Sequence, residues 1–577
     1  MAVEIGPDVR LALYLAEGGR HRLLTVGEAP STMDAPDFDL TPGLAAAWRG
    51  ALDRAGPYAY PTDGALPSPE RVPPVQVITG PGLTVGPTAF VVGNLVARDL
   101  ERLEATIAGV GFQILGRATT AVRAFRERVD GPAALDVIAA QAPAAIVIAL
   151  TDDASGESLD YITDLLIGGL AGRETGYMPT IVLLYAGMPE ARNSARLEQH
   201  FPLKLRTVVG GSPSEPMEMG GPRALLAEVA HSLRWRSFAG LVVPPGLAAA
   251  RIVPSTEALQ AAVRELATQQ DLNVAAIALE SSQVTAAGFQ NGAPALAHFG
   301  ALDRPGRPLH LGLHTPLERV ARWLPDEPLP QALRALVLNR TSRPATAPGS
   351  VAELQIEHAI WTTAAREALR DSPQGRSPLD NNMLDLLVLT GGGARTAARP
   401  IQAALLLINA VEPWGVTQLA TDLPSCLALS GALILANLRV AVESSLTPLG
   451  TCVAPRGQGK SGEPAVVVEV HPRSGPTIER EVVAGMLDVI QWDPGAPADV
   501  RIWPASKFDI GLGNGRPAQL RSPVEAGLAG LIIDARGRPL AWPDDPDQRR
   551  ARLSQWYRAV NAYPAPDPRR SEFAHVR

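Results

Sequence analysis

Cysteine is nearly absent: two occur in 577 residues, Cys426 and Cys452. Both sit in apolar surroundings without a second pair or a histidine cluster, which argues against a disulfide framework and a thiolate zinc site. Basic charge is not in surplus. Lys and Arg number 52 against 59 Asp and Glu, for a net charge of -7, with the signs interspersed along the chain. Nucleic-acid binding would need a basic domain or stripe. The arginine-rich stretch from Arg549 to Arg577 also carries Asp567 and Glu572 and follows Asp545 and Asp547, so it reads as a solvated tail. Long apolar runs are missing too. Leu423 to Val442 comes nearest, but Pro424, Ser425, Ser430, Gly431, Asn437 and Arg439 interrupt it. A bilayer span needs ~20 predominantly apolar residues, so this segment reads as a buried core helix. Met1 to Asp8 has no basic segment leading into an apolar one, so no signal peptide is expected. The expectation is a cytoplasmic protein with no membrane and no nucleic acid among its partners.

What the chain does have is core-forming material. Hydrophobic residues make up 46% and charged residues 19%, which excludes wholesale disorder. The length suits three or four structural units. Leu11 to Leu15 and His21 to Val26 read as two strands joined at Gly18-Gly19, and Gly43 to Leu52 as a helix. A proline-rich connector follows, with Pro61, Pro67, Pro69, Pro73 and Pro74. From about Thr88, apolar strands alternate with helices: Phe90–Val92, Phe112–Leu115, Ala144–Leu150 and Thr180–Tyr185. Strands apolar on both faces, separated by helices, mean parallel βαβ units. The same rhythm resumes with a helix at Ser255–Thr268 and a strand at Asn273–Leu279. Helices at Val351–Ala368, Ile401–Ala410 and Leu427–Glu443 follow, with a strand at Asp385–Leu389 between the first two. From about Pro448 the pattern turns to strands separated by Gly and Pro. The expected units are residues 1–85, a doubly wound 86–212, 213–445, and a mostly-β 446–577 closed by a helix near Pro546–Val560. No fixed-period repeat is present.

Few motifs carry chemistry. Thr390-Gly391-Gly392-Gly393 follows a buried strand and precedes a helix. It fits a backbone that approaches a ligand without Cβ interference, and equally a tight turn needing positive backbone angles. Ala454 to Ser461 superficially resembles a phosphate-binding loop. Position 454 is Ala and a strand, not a helix, follows, so it reads as a surface turn. His310 and His314 lie in an extended context without further ligands. Asp152 and Asp153 close a parallel strand, where open α/β sheets place ligands, although a helix cap explains them more simply.

Several stretches together resemble the glutamate mutase accessory family called MutL (unrelated to the mismatch-repair protein of that name). They are Val26 to Thr32, Leu387 to Gly393, Gly431 to Ala436, Pro448 to Gly457 and Gly530 to Leu540. The resemblance implies an actin-like, ribonuclease H-like two-lobed α/β fold of the acetate kinase/hsp70/actin class, with the doubly wound segment inserted and the β region appended. It also implies ATP or ADP with Mg²⁺ as cofactor, an adenosine loop at Thr390, Gly391, Gly392 and Gly393, and a phosphate-binding glycine at Gly6.

Actin-like ATPases carry an Asp-x-Gly-x-Thr type hairpin in each half; the carboxylates organise the metal and the glycines let backbone hold phosphates. Here the first hairpin falls on Glu4-Ile5-Gly6-Pro7-Asp8-Val9-Arg10-Leu11, with Pro in place of a backbone donor and no hydroxyl. The second falls on Ala278 to Thr285. There Ala278 replaces the metal-organising Asp and Glu280 replaces the glycine. Like charges 4 Å apart repel by ~4 kcal/mol at an effective dielectric near 20. The expectation is therefore a fold without hydrolysis: no catalytic and no metal-binding residues, and weak nucleotide binding at most. The function expected from the resemblance is a non-catalytic, chaperone-like accessory protein whose partner is another protein, a cobalamin-dependent mutase. Two alternatives stay open: an active ATPase that reactivates a B12 enzyme, with Glu4 and Asp8 as substitute metal ligands, and a protein-binding scaffold with no nucleotide.

Overall fold

The structure is a computed structural model. It describes residues 1–5, 8–32, 39–56, 76–79, 87–93, 112–119, 142–150, 155–170, 178–186, 191–208, 222–236, 250–280, 283–299, 315–326, 330–342, 346–370, 383–457, 459–493, 496–520, 524–540 and 542–564, with shorter pieces between 95 and 110, at 138, between 302 and 313, and at 379. The chain divides into two compact units. Met1–Ser31, Thr41–Pro81 and Pro245–Arg577 form the larger, and Thr32–Leu40 with Gly82–Pro244 the smaller.

The larger unit holds two sheets that repeat one strand order. In the first lobe, β1 (Ala2–Ile5), β2 (Asp8–Glu17) and β3 (Arg20–Pro30) form an antiparallel meander. Gly18 and Gly19, with φ of 59° and 78°, supply the left-handed two-residue turn between β2 and β3. The pairing runs from Glu17↔Arg20 to Asp8↔Pro30, which makes both strands longer than their apolar cores suggest. α1 (Thr41–Ala55) packs on β3, so closely that a Cβ at Gly27 would lie 1.7 Å from the Ala47 carbonyl oxygen. β4 (Val77–Thr79) runs parallel to β1, and β5 (Arg251–Ile252) parallel to β4.

After α2 (Ser255–Gln270), the second lobe repeats the pattern. β6 (Val274–Leu279), β7 (Val284–Gln290) and β8 (Ala293–Phe299) form the meander. α3 (Val351–Arg370) follows. β9 (Leu386–Thr390) then runs parallel to β6, and β10 (Gly415–Thr421) parallel to β9. Between them lie α4 (Gly392–Thr396) and α5 (Pro400–Val411). Numbered within each lobe, both sheets read 3-2-1-4-5, with the same parallel and antiparallel relations. This duplicated order is the actin-like, ribonuclease H-like fold. α6 (Leu427–Leu435) lies against α2, and one apolar core joins the pair to both sheets, running from Ala2, Ala12 and Val77 through Leu259 and Leu433 to Val274 and Val388. α6 is shorter than the apolar run suggests. Asn437, with φ of 65°, takes the left-handed conformation that ends a helix.

The C-terminal region is mostly β. β11 (Thr447–Ala454) pairs antiparallel with β10. β12 (Pro464–Pro472), β13 (Ile478–Val483) and β15 (Pro497–Pro504) build a separate antiparallel sheet. β14 (Leu487–Ile490) and β16 (Gly530–Asp534) return to the second lobe, where β16 lies parallel to β11 and completes an eight-stranded sheet. α7 (Pro546–Ala559), capped by Asp545, follows.

The smaller unit holds a five-stranded, all-parallel sheet. Its order is Gln113–Thr119, Thr88–Gly93, Ala145–Leu150, Thr180–Ala186, Leu203–Val208, a doubly wound arrangement. Ala145–Leu150 is buried throughout, its alternate residues feeding two cores, Val147 one and Ile146 and Ile148 the other. Among the described residues no helix is long and apolar enough to cross a membrane.

Candidate functional site

The two equivalent hairpins, β1–β2 and β6–β7, bring their charged residues to one cleft with the glycine loop. In the first, the antiparallel register sets Glu4 opposite Arg10 and Arg10 opposite Glu28 of β3. Arg10 Nη1 donates to Glu4 Oε2 at 2.8 Å, and Nε to Glu28 Oε1 at 3.4 Å. Glu4 and Arg10 are each 5% exposed, so neither has water to replace its partner. Burial works against the Arg10 charge, but Glu4, Glu280, Glu28 and Asp8 outweigh it and hold the guanidinium above its ordinary value. Burial, and then Glu28, push the Asp8 carboxyl up.

In the second hairpin, Glu280 N–H donates to the Gln283 carbonyl at 2.9 Å. The Glu280 side chain turns onto the glycine loop, where its carboxylate accepts a hydrogen bond from Gly392 N–H. A Cβ at Gly391 would lie 2.5 Å from Glu280 Oε1 and 2.7 Å from the Leu279 carbonyl oxygen, and one at Gly393 would lie 2.7 Å from the Leu279 side chain. Gly391 also has a φ of 86°, a left-handed value that disfavours a side chain. The glycines thus admit the hairpin of the same lobe. Burial raises the Glu280 carboxyl pKa; Arg10 lowers it and Glu4 raises it further.

Behind the loop, Thr390 Oγ1 donates to Asp422 Oδ2 at 2.8 Å and Leu427 N–H to the same oxygen at 2.6 Å. Ser425 Oγ donates to the Gly391 carbonyl at 3.2 Å. Asp422 is fully buried, and burial pushes its carboxyl up to about 6 against the pull of these donors. The cavity between the hairpins, bordered by Glu4, Glu280, Thr285, Thr390 and Ser425, has a volume of about 20 Å³. That is room for one water-sized molecule, against roughly 300–1,000 Å³ for a typical ligand pocket.

Thr390, Gly391, Gly392 and Gly393 are therefore together at the cleft. Gly6 lies outside the described residues, as do Asp152, Asp153, His310 and His314. Of the two alternative metal ligands, Glu4 is paired with Arg10, and Asp8 lies near Glu28 and Arg10. Among the described residues, no three Asp, Glu, His or Cys side chains are placed to share one ion. The residues present do not fit a magnesium nucleotide: Ala278 offers no carboxylate, Arg10 holds Glu4, and Glu280 covers the loop. Sequence reading missed Glu28, Arg395 and Asp422. Asp422 had a signal, since it follows the carboxyl end of a parallel strand, where ligand crevices form. Among its described residues, the segment Ala454 to Ser461 gives a short strand at Arg456–Gly457 and a turn leading to β12, and no helix.

No protein-family model matches the chain, and no curated protein matches it. Solved structures do. A nucleotide-free acetone carboxylase, from work on ATP-dependent acetone carboxylation, is 13% identical and covers 83% of this chain and 80% of its own, with a TM-score of 0.28. A nucleotide-free diol dehydratase-reactivating factor is 13% identical, covering 75% and 98%, with a TM-score of 0.26. A glycerol dehydratase reactivase is 12% identical, covering 75% and 99%, with a TM-score of 0.27. The fold assignment rests on the duplicated strand order.

Proposed function

We propose that this chain is a chaperone-like accessory protein of the glutamate mutase MutL type, acting by binding another protein and not by hydrolysing ATP. The carrying observation is the Glu280 carboxylate on the glycine loop, beside the Glu4–Arg10 pair. An ATPase of this architecture needs a carboxylate for the metal and free backbone donors for the phosphates. Here one side chain supplies negative charge where the phosphates would lie, and the first hairpin's carboxylate is neutralised by its own arginine. The partner class, a cobalamin-dependent mutase, follows from the sequence resemblance.

Isothermal titration with ATP and Mg²⁺, run beside a phosphate-release assay, tests the first half. The expected result is no turnover and, at millimolar nucleotide, weak binding or none. Turnover that Glu4→Gln abolishes would overturn it and favour the ATPase reading. Co-purification of the tagged chain with a cobalamin-dependent mutase tests the second half. Reproducible capture of other proteins without any such enzyme would remove the partner assignment.

A further inference from the structure

An unbroken series of ion pairs crosses the cleft. Glu4, Arg10 and Glu28 face one another across β1, β2 and β3 of the first lobe. The next member, Arg395, belongs to the second lobe and follows the glycine loop directly. Its Nη1 donates to Glu28 Oε1 at 2.5 Å, the oxygen that Arg10 Nε also reaches. Glu28 is thus one carboxylate gripped by a guanidinium from each lobe. Burial would raise its pKa, but Arg395 and Arg10 outweigh that and hold it below the ordinary carboxylate value. The series has two unlike ends. The side chains of Glu4 and Arg10 are each 7% exposed, whereas those of Glu28 and Arg395 are 32% and 28% exposed. One end is fixed in the interior and the other is reached by solvent. Further hydrogen bonds between the lobes lie away from this pair: Tyr14 with Ser430, Arg20 with Glu443, His21 with Arg439 and Leu23 with Ser444 at the other end of the β2–β3 hairpin, and Arg251 with the Leu435 carbonyl at β5.

We propose that this relay is an internal latch. Glu28 ties the two lobes together across the cleft, and the Glu28–Arg395 pair is where they part. Lobe closure usually draws its free energy from a ligand that contacts both sides. Here side chains of the two lobes contact each other directly, so the protein itself supplies part of the free energy that closes the cleft. The latch goes beyond the accessory reading and stands without it.

Hydrogen–deuterium exchange on the full chain tests the latch, comparing wild type with Arg395→Met and with Glu28→Gln. Both variants should exchange about tenfold faster at residues 391–396 and 26–30, while α5 stays unchanged, because opening is local. If Arg395→Met loosens α5 as well, Glu28→Gln decides, since it keeps size and a hydrogen-bond acceptor while removing charge. Unchanged exchange at 391–396 and 26–30 in Glu28→Gln overturns the latch. Nucleotide titration reads a different quantity, so the latch and the non-hydrolytic reading fail separately.

Discussion

Gly431 of α6 rests directly on the backbone of Ala258 in α2: a Cβ at Gly431 would lie 1.7 Å from the Ala258 carbonyl oxygen and 3.0 Å from the Ala262 nitrogen. Neither obstacle is a side chain that could turn aside, so the helices touch backbone to backbone. Gly431→Ala should force them apart and destabilise the chain by about 1–3 kcal/mol or more, the usual cost of overpacking. Urea unfolding measures it; a midpoint unchanged from wild type would show that the helices have room to separate.

Asp422 gives a prediction in pH. Its folded pKa, about 6, is above the unfolded value, so between roughly pH 4 and 6 the folded chain holds a proton that the unfolded chain releases. Stability from this group therefore falls as pH rises through that window. Asn keeps an acceptor for Leu427 N–H and Thr390 Oγ1 but cannot ionise. Asp422→Asn should gain about 2–3 kcal/mol relative to wild type between pH 4 and 7.5. Paired unfolding curves at the two pH values check the difference, and a constant offset would refute the assignment.

Asp534 behaves in the opposite sense. Burial would raise its pKa, but Arg536, bound through Oδ1 and Oδ2 at 2.8 Å each, and Arg538, bound to Oδ2 at 2.8 Å, overcome it and hold the carboxyl well below the ordinary range. Stability from this group is present at neutral pH and is lost as pH falls below its unfolded value near 4. Asp534→Asn strips two nearly buried guanidinium groups of their counter-charge and should cost about 3–5 kcal/mol at pH 7. Thermal and urea unfolding at pH 7 would show it, with a shrinking difference from wild type on acidification.

Glu280→Gly removes the carboxylate from the glycine loop and restores the small residue that actin-like hairpins carry there. If charge and occupancy are what oppose a polyphosphate, this variant should bind ATP more tightly than wild type by about tenfold or more, while still releasing no phosphate because Ala278 remains. Calorimetric titration of the two proteins side by side provides the comparison. Equal affinities would mean that something other than Glu280 closes the cleft.

Much of the architecture was legible because it is local. Apolar strands such as Ala145–Leu150 and Leu386–Thr390 announce parallel sheets, and Gly18-Gly19 fixes a hairpin. The family resemblance, not the pattern of residues, locates the two hairpins, and the strand pairings Ile5↔Val9 and Leu279↔Val284 close them there. The site was legible in part. That Glu280 would oppose phosphate follows from its position, but that it would bond the Gly392 amide does not. The Glu28–Arg395 pair spans 367 positions, and no periodicity links residues that far apart. Short apolar runs bounded by Gly and Pro likewise reveal β12 and β16 as strands without saying which sheet each joins.

That last ambiguity has a consequence during synthesis. β11 finds its parallel neighbour only when β16 emerges, after strands β12 to β15 have all been made. Until then the ribosome-bound chain presents an open strand edge, the kind that invites pairing with other chains. The second lobe is therefore completed late, and a nascent chain stalled before Gly530 would leave its longest sheet unsealed.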